Sequence, residues 1–334
     1  MNKALDIRKK IHDDEHVDTA TSYNDLSVLY EQLGDFEKAE KYAIKSLEIR
    51  KKLCGEMHIE TSNSYNNLGV LYYKLGDFAN AEKYYIKALK IYKKVYGDTH
   101  VDTATAYSNL GVLYMQLGDF KNAEEYLIKA LEIRKKIYEE EHSDIATSYN
   151  ILGTLYKQIG DLKKAEDFLI KALKNREKFY GTEHVVVART YNNLGKLYLE
   201  LNELKKAEDF LYKALDIHEK TYGDKHIDTA HSYHNLGMLY MQLGNFKNAE
   251  LYLLKALKIY ENIYSDKIVN TSYGYHIYRN LGLLYKQIGE SEKSKTYYCK
   301  ALYGVRKIFG DEHKITQEIH KSLEEIKKLF ELSN

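Results

Sequence analysis

The 334-residue chain contains no proline, no tryptophan and only two cysteines, and it has no long apolar run. Because proline is the commonest helix breaker, its absence leaves helices free to form along the whole sequence. A membrane-spanning helix needs an apolar stretch of about 18 residues or more, and no such stretch is present. With a mean hydropathy of −0.55, the chain is expected to have no membrane span.

The chain also lacks a net charge. Fifty basic side chains balance forty-nine acidic ones, so no global field favours nucleic acid or a membrane surface as a partner. Residues 1–12 are too charged for a secretory signal. Cys54 and Cys299 lie far apart in sequence. We therefore expect free thiols and a reducing, cytoplasmic location.

What the sequence does contain is an internal repeat with a period of 42 residues. A leucine, usually within Asn-Leu-Gly, is followed by tyrosine four residues later and by small residues 13 and 20 residues later. An array of similar structural units is the expected result. The repeat leucines are Leu26, Leu68, Leu110, Leu152, Leu194, Leu236 and Leu281.

The spacing within one repeat predicts a pair of helices. One helical stripe has residues at i, i+3, i+4 and i+7, namely Tyr65, Leu68, Gly69 and Tyr72. Gly76 then permits the left-handed conformation that ends a helix, and Asp77 can cap the next helix, whose stripe begins at Phe78. Such a pair cannot bury its apolar face alone and must stack on the next pair.

This pattern resembles the tetratricopeptide repeat. Each unit has eight residues more than the usual 34, and a Gly-Asp-x-His loop occurs at residues 97–100. Both features resemble the repeats of kinesin light chains and of the nephrocystin-3 type. The resemblance implies an all-α fold, a right-handed α-solenoid of stacked helix pairs (an α-α superhelix). It also implies a non-catalytic protein that binds other proteins.

The repeat divides the chain as a single solenoid over residues 1–334. Residues 1–13 align with the second helix of a partial unit, and residues 18–311 form seven helix pairs. Residues 314–332 align with a first helix whose polar substitutions suit a terminal cap. The N-terminus thus resembles a cut through a longer array, and the C-terminus an end.

One insertion interrupts the period. Residues 265–278 contain three extra residues and lack the loop glycine and histidine of the other repeats. Two interpretations remain open from sequence: a tolerated surface bulge, or a local joint that changes the superhelical pitch.

No enzyme motif is present: there is no phosphate-binding loop, dinucleotide fingerprint, His-Glu-x-x-His or Cys-x-x-Cys. Neighbouring loop histidines should lie at least a helix-packing distance of ~8–10 Å apart, too far to share one ion. We expect them to fasten each loop to the following helix. No catalytic residue, no metal site and no cofactor is therefore predicted. These histidines are His16, His58, His100, His142, His184, His226 and His313.

The resemblance places ligand-facing side chains on the first helix of each repeat, at −5, −2, −1, +2 and +5 from the leucine. Asparagine can hold the backbone of an extended peptide because it donates and accepts. Alternatively, the asparagine beside the leucine simply bonds a neighbouring helix. Basic side chains in the C-terminal repeats favour an acidic segment, and methionine suits an apolar anchor. The candidate peptide-binding residues are Asn66, Asn67, Asn150, Arg189, Asn192, Asn193, Lys196, His231, His234, Asn235, Met238, Arg279, Asn280 and Lys286.

The predicted function is a protein–protein interaction scaffold that binds an extended, acidic peptide segment in a concave groove, in the manner of a kinesin-light-chain cargo adaptor. The alternative is a repeat module, structural or sensory, of a larger multidomain protein whose activity lies elsewhere. Binding of single-stranded RNA by helical repeats needs a basic face, which the neutral composition disfavours. The sequence leaves the oligomeric state open.

Overall fold

A computed structural model describes Leu5, Arg8, Ile11 and the backbone of residues 15–333. The partial unit predicted for residues 1–13 lies outside the described residues, apart from those three helical positions. Over the described chain the fold is helical, with no strand. None of these helices combines the length and the apolarity needed to cross a membrane. Cys54 and Cys299 are both free thiols, as predicted.

The described chain forms fifteen α-helices and one 3₁₀ helix, which confirms the all-α prediction. Helices α1 to α14 form seven consecutive pairs, and α15 follows them. Their bounds are α1 Val17–Gln32, α2 Phe36–Cys54, α3 Ile59–Leu75, α4 Phe78–Tyr96, α5 Val101–Leu117, α6 Phe120–Ile137, α7 Ser143–Ile159, α8 Leu162–Tyr180, α9 Val185–Glu200, α10 Leu204–Tyr222, α11 Ile227–Gln242, α12 Phe246–Tyr264, the 3₁₀ helix Ser265–Asn270, α13 Ser272–Gln287, α14 Ser291–Phe309 and α15 Lys314–Ser333.

Contacts divide the chain into two compact parts, Met1–Asn175 and Arg176–Asn334. We call them the N-terminal half and the C-terminal half. Within each half, the odd-numbered first helix of a pair packs on the even-numbered second helix and on the second helix of the preceding pair. Successive first helices also touch one another, as α3 and α5 do in the N-terminal half and α9 and α11 in the C-terminal half.

The predicted turn chemistry is confirmed at the helix ends. Gly76 is left-handed, with φ of 79°, and ends α3. The carboxylate of Asp77 then accepts a hydrogen bond from the backbone N–H of Asn80 at 3.1 Å. Before α5, Nδ1 of His100 accepts from the backbone N–H of Asp102 at 3.2 Å. The other loop histidines cap their helices in the same way, so they do fasten loop to helix.

Small residues let the two helices of a pair approach closely. A Cβ atom added to Gly111 would lie 2.6 Å from Cγ of the buried Leu127. The repeat tyrosine fills the adjacent space: the ring of Tyr114 stacks on Tyr126, with centroids 5.5 Å apart, and its hydroxyl donates to Glu82 of the preceding pair. The repeat pattern therefore encodes contacts both within a pair and between pairs.

The insertion is a packed 3₁₀ helix rather than a surface bulge, so that interpretation is wrong. The side chain of Ile268 is only 3% exposed. A Cβ atom on Gly274 would lie 1.9 Å from the carbonyl oxygen of Ile268, and one on Gly304 would lie 2.1 Å from that of Val269. The 3₁₀ backbone thus packs directly against α13 and α14. A role as a joint stays a prediction.

Candidate functional site

In the N-terminal half, helices α1 to α5 enclose a pocket of about 350 Å³. A water molecule accounts for roughly 30 Å³ of liquid volume, so the pocket has room for a group as large as a side-chain head. Every lining residue is polar. We call this site the N-terminal polar pocket; its lining residues are Asn24, Arg50, Asn63, Asn66, Asn67, Tyr92, Asp102 and Thr105.

Carboxamide groups on successive first helices bond to one another at this site. Nδ2 of Asn67 donates to Oδ1 of Asn24 at 2.7 Å, and Nδ2 of Asn109 donates to Oδ1 of Asn66 at 2.8 Å. These bonds fix the orientation of the amides, and one bond leaves a carboxamide with further donor and acceptor capacity. Asn66 and Asn67 were both predicted as site residues; Asn150, the third in this half, is not part of the pocket lining.

Two second helices also contribute side chains to the pocket. Arg50 is only 6% exposed; its Nη1 donates to Oγ of Ser64 at 3.0 Å, and its Nη2 lies 3.4 Å from the carboxylate of Glu60. The hydroxyl of Tyr92 donates to Oδ1 of Asn63 at 2.8 Å. Burial, reinforced by nearby carboxylates including those of Asp102 and Glu60, raises the pKa of Tyr92 to about 12. Tyr92 therefore stays a donor at neutral pH.

Asp102, in the first turn of α5, brings a carboxylate to the pocket. Its side chain is 42% exposed. Among the residues that the structure describes, its only ionisable neighbour at ion-pair distance is Nδ1 of His100, at 3.5 Å. That nitrogen accepts the backbone N–H of Asp102, so it carries no proton and does not neutralise the carboxylate.

Sequence analysis missed the second-helix position occupied by Arg50 and Tyr92, although the repeat carries a signal for it. At the six copies of this position from Arg8 to His218, an arginine or histidine is followed 14 residues later by a hydroxyl side chain, and the one tyrosine among them, Tyr92, is followed by alanine. In the structure the arginine or histidine bonds directly to that hydroxyl, as when Nη1 of Arg134 donates to Oγ of Ser148 at 2.6 Å. The pairs are Arg8–Ser22, Arg50–Ser64, Tyr92–Ala106, Arg134–Ser148, Arg176–Thr190 and His218–Ser232.

In the C-terminal half, the predicted polar residues also tie successive first helices together. Nδ2 of the buried Asn192 donates to Oγ of Ser232 at 2.9 Å, and its Oδ1 accepts from Nδ2 of Asn235 at 3.1 Å. Nδ2 of Asn280 lies 2.6 Å from Nε2 of His234. These asparagines therefore do bond neighbouring helices, as the alternative interpretation of the sequence expected.

Arg189 on α9 reaches the next first helix. Its Nη2 lies 2.9 Å from Oδ2 of Asp228, whose side chain is only 11% exposed. Burial acts to raise the pKa of Asp228, but the hydrogen bond and charge of Arg189 outweigh it and hold that pKa below its usual value. Nδ1 of His231 lies 3.8 Å from the other carboxylate oxygen, and its ring packs on Tyr273 at 4.7 Å.

The other predicted cations fall into two groups. Nζ of Lys286 pairs with the carboxylate of Glu325 at 2.7 Å. Lys196 and Arg279 are exposed, as is His276. Partial desolvation by its neighbours first, and then the positive charges of Arg279 and Lys196, lower the pKa of His276 to about 4. The two remaining predicted site residues, Asn193 on α9 and Met238 on α11, are partly buried.

Comparison with known proteins gives the same family over most of the chain. A model described as tetratricopeptide repeat matches residues 1–52, 60–136, 102–178, 144–220 and 187–262, and a second model of that description matches residues 275–303. No curated protein sequence matches the chain.

Among solved structures, BtubC (BKLC) from P. vanneervenii is similar at 28% identity and a TM-score of 0.58, covering 69% of this chain and 92% of that chain. A Podosopora anserina protein of the kinesin light chain type, with nearly identical TPR-like repeats, has 22% identity and a TM-score of 0.53, covering 62% and 99%. The Rap conjugation gene regulator of plasmid pLS20, solved with the Phr* peptide, has 16% identity and a TM-score of 0.64, covering 90% and 75%. With its matched repeats and stacked helix pairs, the chain belongs to the tetratricopeptide repeat family.

Proposed function

We propose that this chain is a non-catalytic protein–protein interaction scaffold that binds an extended peptide segment of a partner along its first helices. The observation that carries the proposal is the N-terminal polar pocket, in which carboxamides from consecutive first helices face one site. An extended peptide presents an N–H and a C=O group at each residue, and both need partners when covered. Carboxamides supply both kinds of partner, with Asn66 and Asn67 as the first contacts.

In the C-terminal half the proposed segment is acidic. Lys196 on α9 and Arg279 on α13 lie close enough to His276 to lower its pKa, so positive potential gathers on this face. Basic groups at one face attract and orient carboxylates. Arg189 and Lys286 already hold Asp228 and Glu325, so they would serve a peptide only by exchanging those partners. Asn192, Asn193, His231, His234, Asn235 and Asn280 would then flank the peptide, and Met238 would receive an apolar side chain.

Selection from a random library of extended peptides tests this function. Wild-type protein should select peptides enriched in Asp and Glu. Arg279→Glu should lower the affinity for the selected peptides roughly tenfold at low salt, which is the scale of one charge-assisted hydrogen bond. Lys295→Glu is the matched control because it reverses the same charge at an exposed position of α14, a second helix. Failure to select any peptide overturns the function; selection without acidic enrichment overturns only the charge preference.

A cargo-adaptor role like that of kinesin light chains is the second candidate. It is favoured by the 42-residue repeat with its Gly-Asp-x-His loop and by the 28% identity to BtubC (BKLC). A repeat module of a larger protein would bind peptides through the same first-helix face, so the library selection addresses all of these roles.

A further inference from the structure

Seven of the eight lining positions of the N-terminal polar pocket recur in the C-terminal half, three repeat periods later, and there a side chain of the protein itself reaches the aspartate. Arg50 corresponds to Arg176, Asn66 to Asn192, and Asp102 to Asp228. The main change is that Asn63 is replaced by Arg189, which crosses to the Asp228 carboxylate. The carboxylate of Asp228 is 11% exposed, whereas that of Asp102 is 42% exposed.

The two copies therefore show the same site in two states. It is filled by the Arg189 side chain in the C-terminal half and open in the N-terminal half. In the filled copy, a guanidinium sits on the aspartate at the start of a first helix. In the open copy, Asn63 is too short to do this; its Oδ1 accepts from Tyr92, and the Asp102 carboxylate faces a pocket of about 350 Å³. A guanidinium has five N–H donors in one plane and no acceptor, so it needs several oxygen acceptors. The carboxylate of Asp102 and the surrounding carboxamide oxygens provide them.

The buried guanidinium of Arg50 in the wall of the pocket does not prevent a second guanidinium from binding there. Arg50 is held by Ser64 and lies 3.4 Å from the Glu60 carboxylate. In the filled copy, Val186 stands where Glu60 stands in the open one, yet the wall cation Arg176 and the inserted Arg189 coexist there. The N-terminal polar pocket has one carboxylate more than a copy that already accommodates a guanidinium.

We infer that the N-terminal polar pocket binds the guanidinium of an arginine side chain, with Asp102 in the role that Asp228 has toward Arg189. This inference rests on the proposed function for the source of the arginine, an extended segment of a partner protein. It gives the two halves opposite preferences, with basic side chains bound at the N-terminal pocket and acidic ones in the C-terminal half.

Methylguanidinium, with neutral methylurea as its isostere, tests the pocket without any peptide. The readout is the NMR signals of the side-chain amides in the full chain labelled with ¹⁵N-asparagine. We expect methylguanidinium to shift the Asn66 and Asn67 signals saturably and methylurea to bind at least roughly tenfold more weakly, the scale of one charge-assisted hydrogen bond. Asp102→Asn should remove the difference between the two probes, and Asn63→Arg should block both.

Asp144→Asn is the matched control, since Asp144 holds the same position one repeat later and does not line the pocket. Equal binding of the two probes, or an unchanged response in Asp102→Asn, overturns the inference. The conservative Asp102→Asn change, at an exposed position, keeps the test valid if Asn63→Arg does not fold.

The peptide library then separates the inference from the function beneath it. Selected peptides should carry arginine at one position, and Asp102→Asn should lose that enrichment while still selecting peptides. Peptides selected without arginine enrichment overturn the inference and leave peptide binding standing. A methylguanidinium site with no selected peptide supports the site and overturns the peptide-binding function.

Discussion

The N-terminal polar pocket and its C-terminal copy share an arginine in the second helix, asparagines in the first helix and an aspartate where the next first helix begins. They differ at three positions. The open site has Asn63, Tyr92 and Thr105; the filled site has Arg189, His218 and His231 in their places. The first set is neutral, and the second set brings one permanent cation and two titratable rings to a largely buried aspartate.

The difference shows how a helical repeat can diversify without changing its backbone. The helix bounds, the loop caps and the asparagine bonds are alike in both sites. The longer side chain at one first-helix position, Arg189 in place of Asn63, forms an ion pair with Asp228, whereas the matching aspartate of the N-terminal polar pocket is paired with no cationic side chain among the described residues. The Arg189–Asp228 pair thus contributes to the stability of the C-terminal half, whereas the N-terminal polar pocket keeps a cavity of about 350 Å³, which we propose as a ligand site.

Lowering the pH should produce the largest difference in stability between the two sites. Burial first, with nearby Arg189 and His226 adding to it and Asp228 opposing it, lowers the pKa of His218 to about 4. Its Nδ1 lies 2.9 Å from Oγ of Ser232, and its buried Nε2 has no hydrogen-bond partner among the described residues. A protonated ring would leave that N–H unsatisfied. Since the unfolded pKa is about 6.5, the stabilisation is complete above pH 6.5 and is lost as the pH falls toward 4.

The loss from His218 should reach about 3 kcal/mol at pH 4. Desolvation also lowers the pKa of His231 to about 4, of His234 to about 3 and of His276 to about 4, and all three act in the same direction. Hydrogen exchange at pH 7 and pH 4.5, corrected for intrinsic rates, should show the C-terminal half losing protection first. His218→Tyr with Ser232→Ala copies the Tyr92–Ala106 pair and should remove the share of this pH dependence that belongs to His218. Equal loss of protection in both halves would contradict the assignment.

The second-largest expected difference is in the contributions of Asp228 and Asp102 to stability. Asp228→Ala removes a buried carboxylate together with its bond to Arg189, and we expect a loss of about 2 kcal/mol of unfolding free energy. Asp102→Ala removes an exposed carboxylate from the first turn of α5 and should cost about 0.5 kcal/mol, mostly through the helix dipole. Urea denaturation followed by circular dichroism measures both. Similar costs for the two variants would show that the sites do not differ in burial as described.

The sequence predicts the helices well because their limits depend on local chemistry. The seven pairs are expected to begin at residue 18, one residue after the observed start of α1 at Val17, since the loop histidine His16 caps that helix within three residues. Because the repeat leucine fixes the helical register, the sequence places Asn66 and Asn67 on one face of their helix, and both line the N-terminal polar pocket. The surface-bulge interpretation of the insertion was wrong because the space for its backbone comes from Gly274 and Gly304, where the preceding repeat has Thr229 and Ile259.

The pocket itself could not be predicted in the same way. Its lining comes from five consecutive helices, and the partners of one bond, such as Asn24 and Asn67, lie 43 residues apart. The period shows that such residues belong to neighbouring repeats but not how far the side chains reach. For that reason the sequence presents Arg189 as a cation for a ligand, and only the structure shows that Asp228, on the next first helix, already holds it.

Exchanging the two residues that distinguish the sites is the finest test of the comparison. Arg189 is 58% exposed, and ion pairs with one partner in water usually contribute at most about 1 kcal/mol. Arg189→Asn should therefore cost about 1 kcal/mol, because Asp228 keeps the favourable N-terminal end of α11. Asn63→Arg should gain no more than that at Asp102. If the sites are interchangeable, the double variant unfolds at nearly the wild-type urea concentration, and methylguanidinium now shifts the amide signal of Asn192 instead of Asn66. A double variant that loses both sites would show that the surrounding helices, rather than positions 63 and 189, decide which site is open.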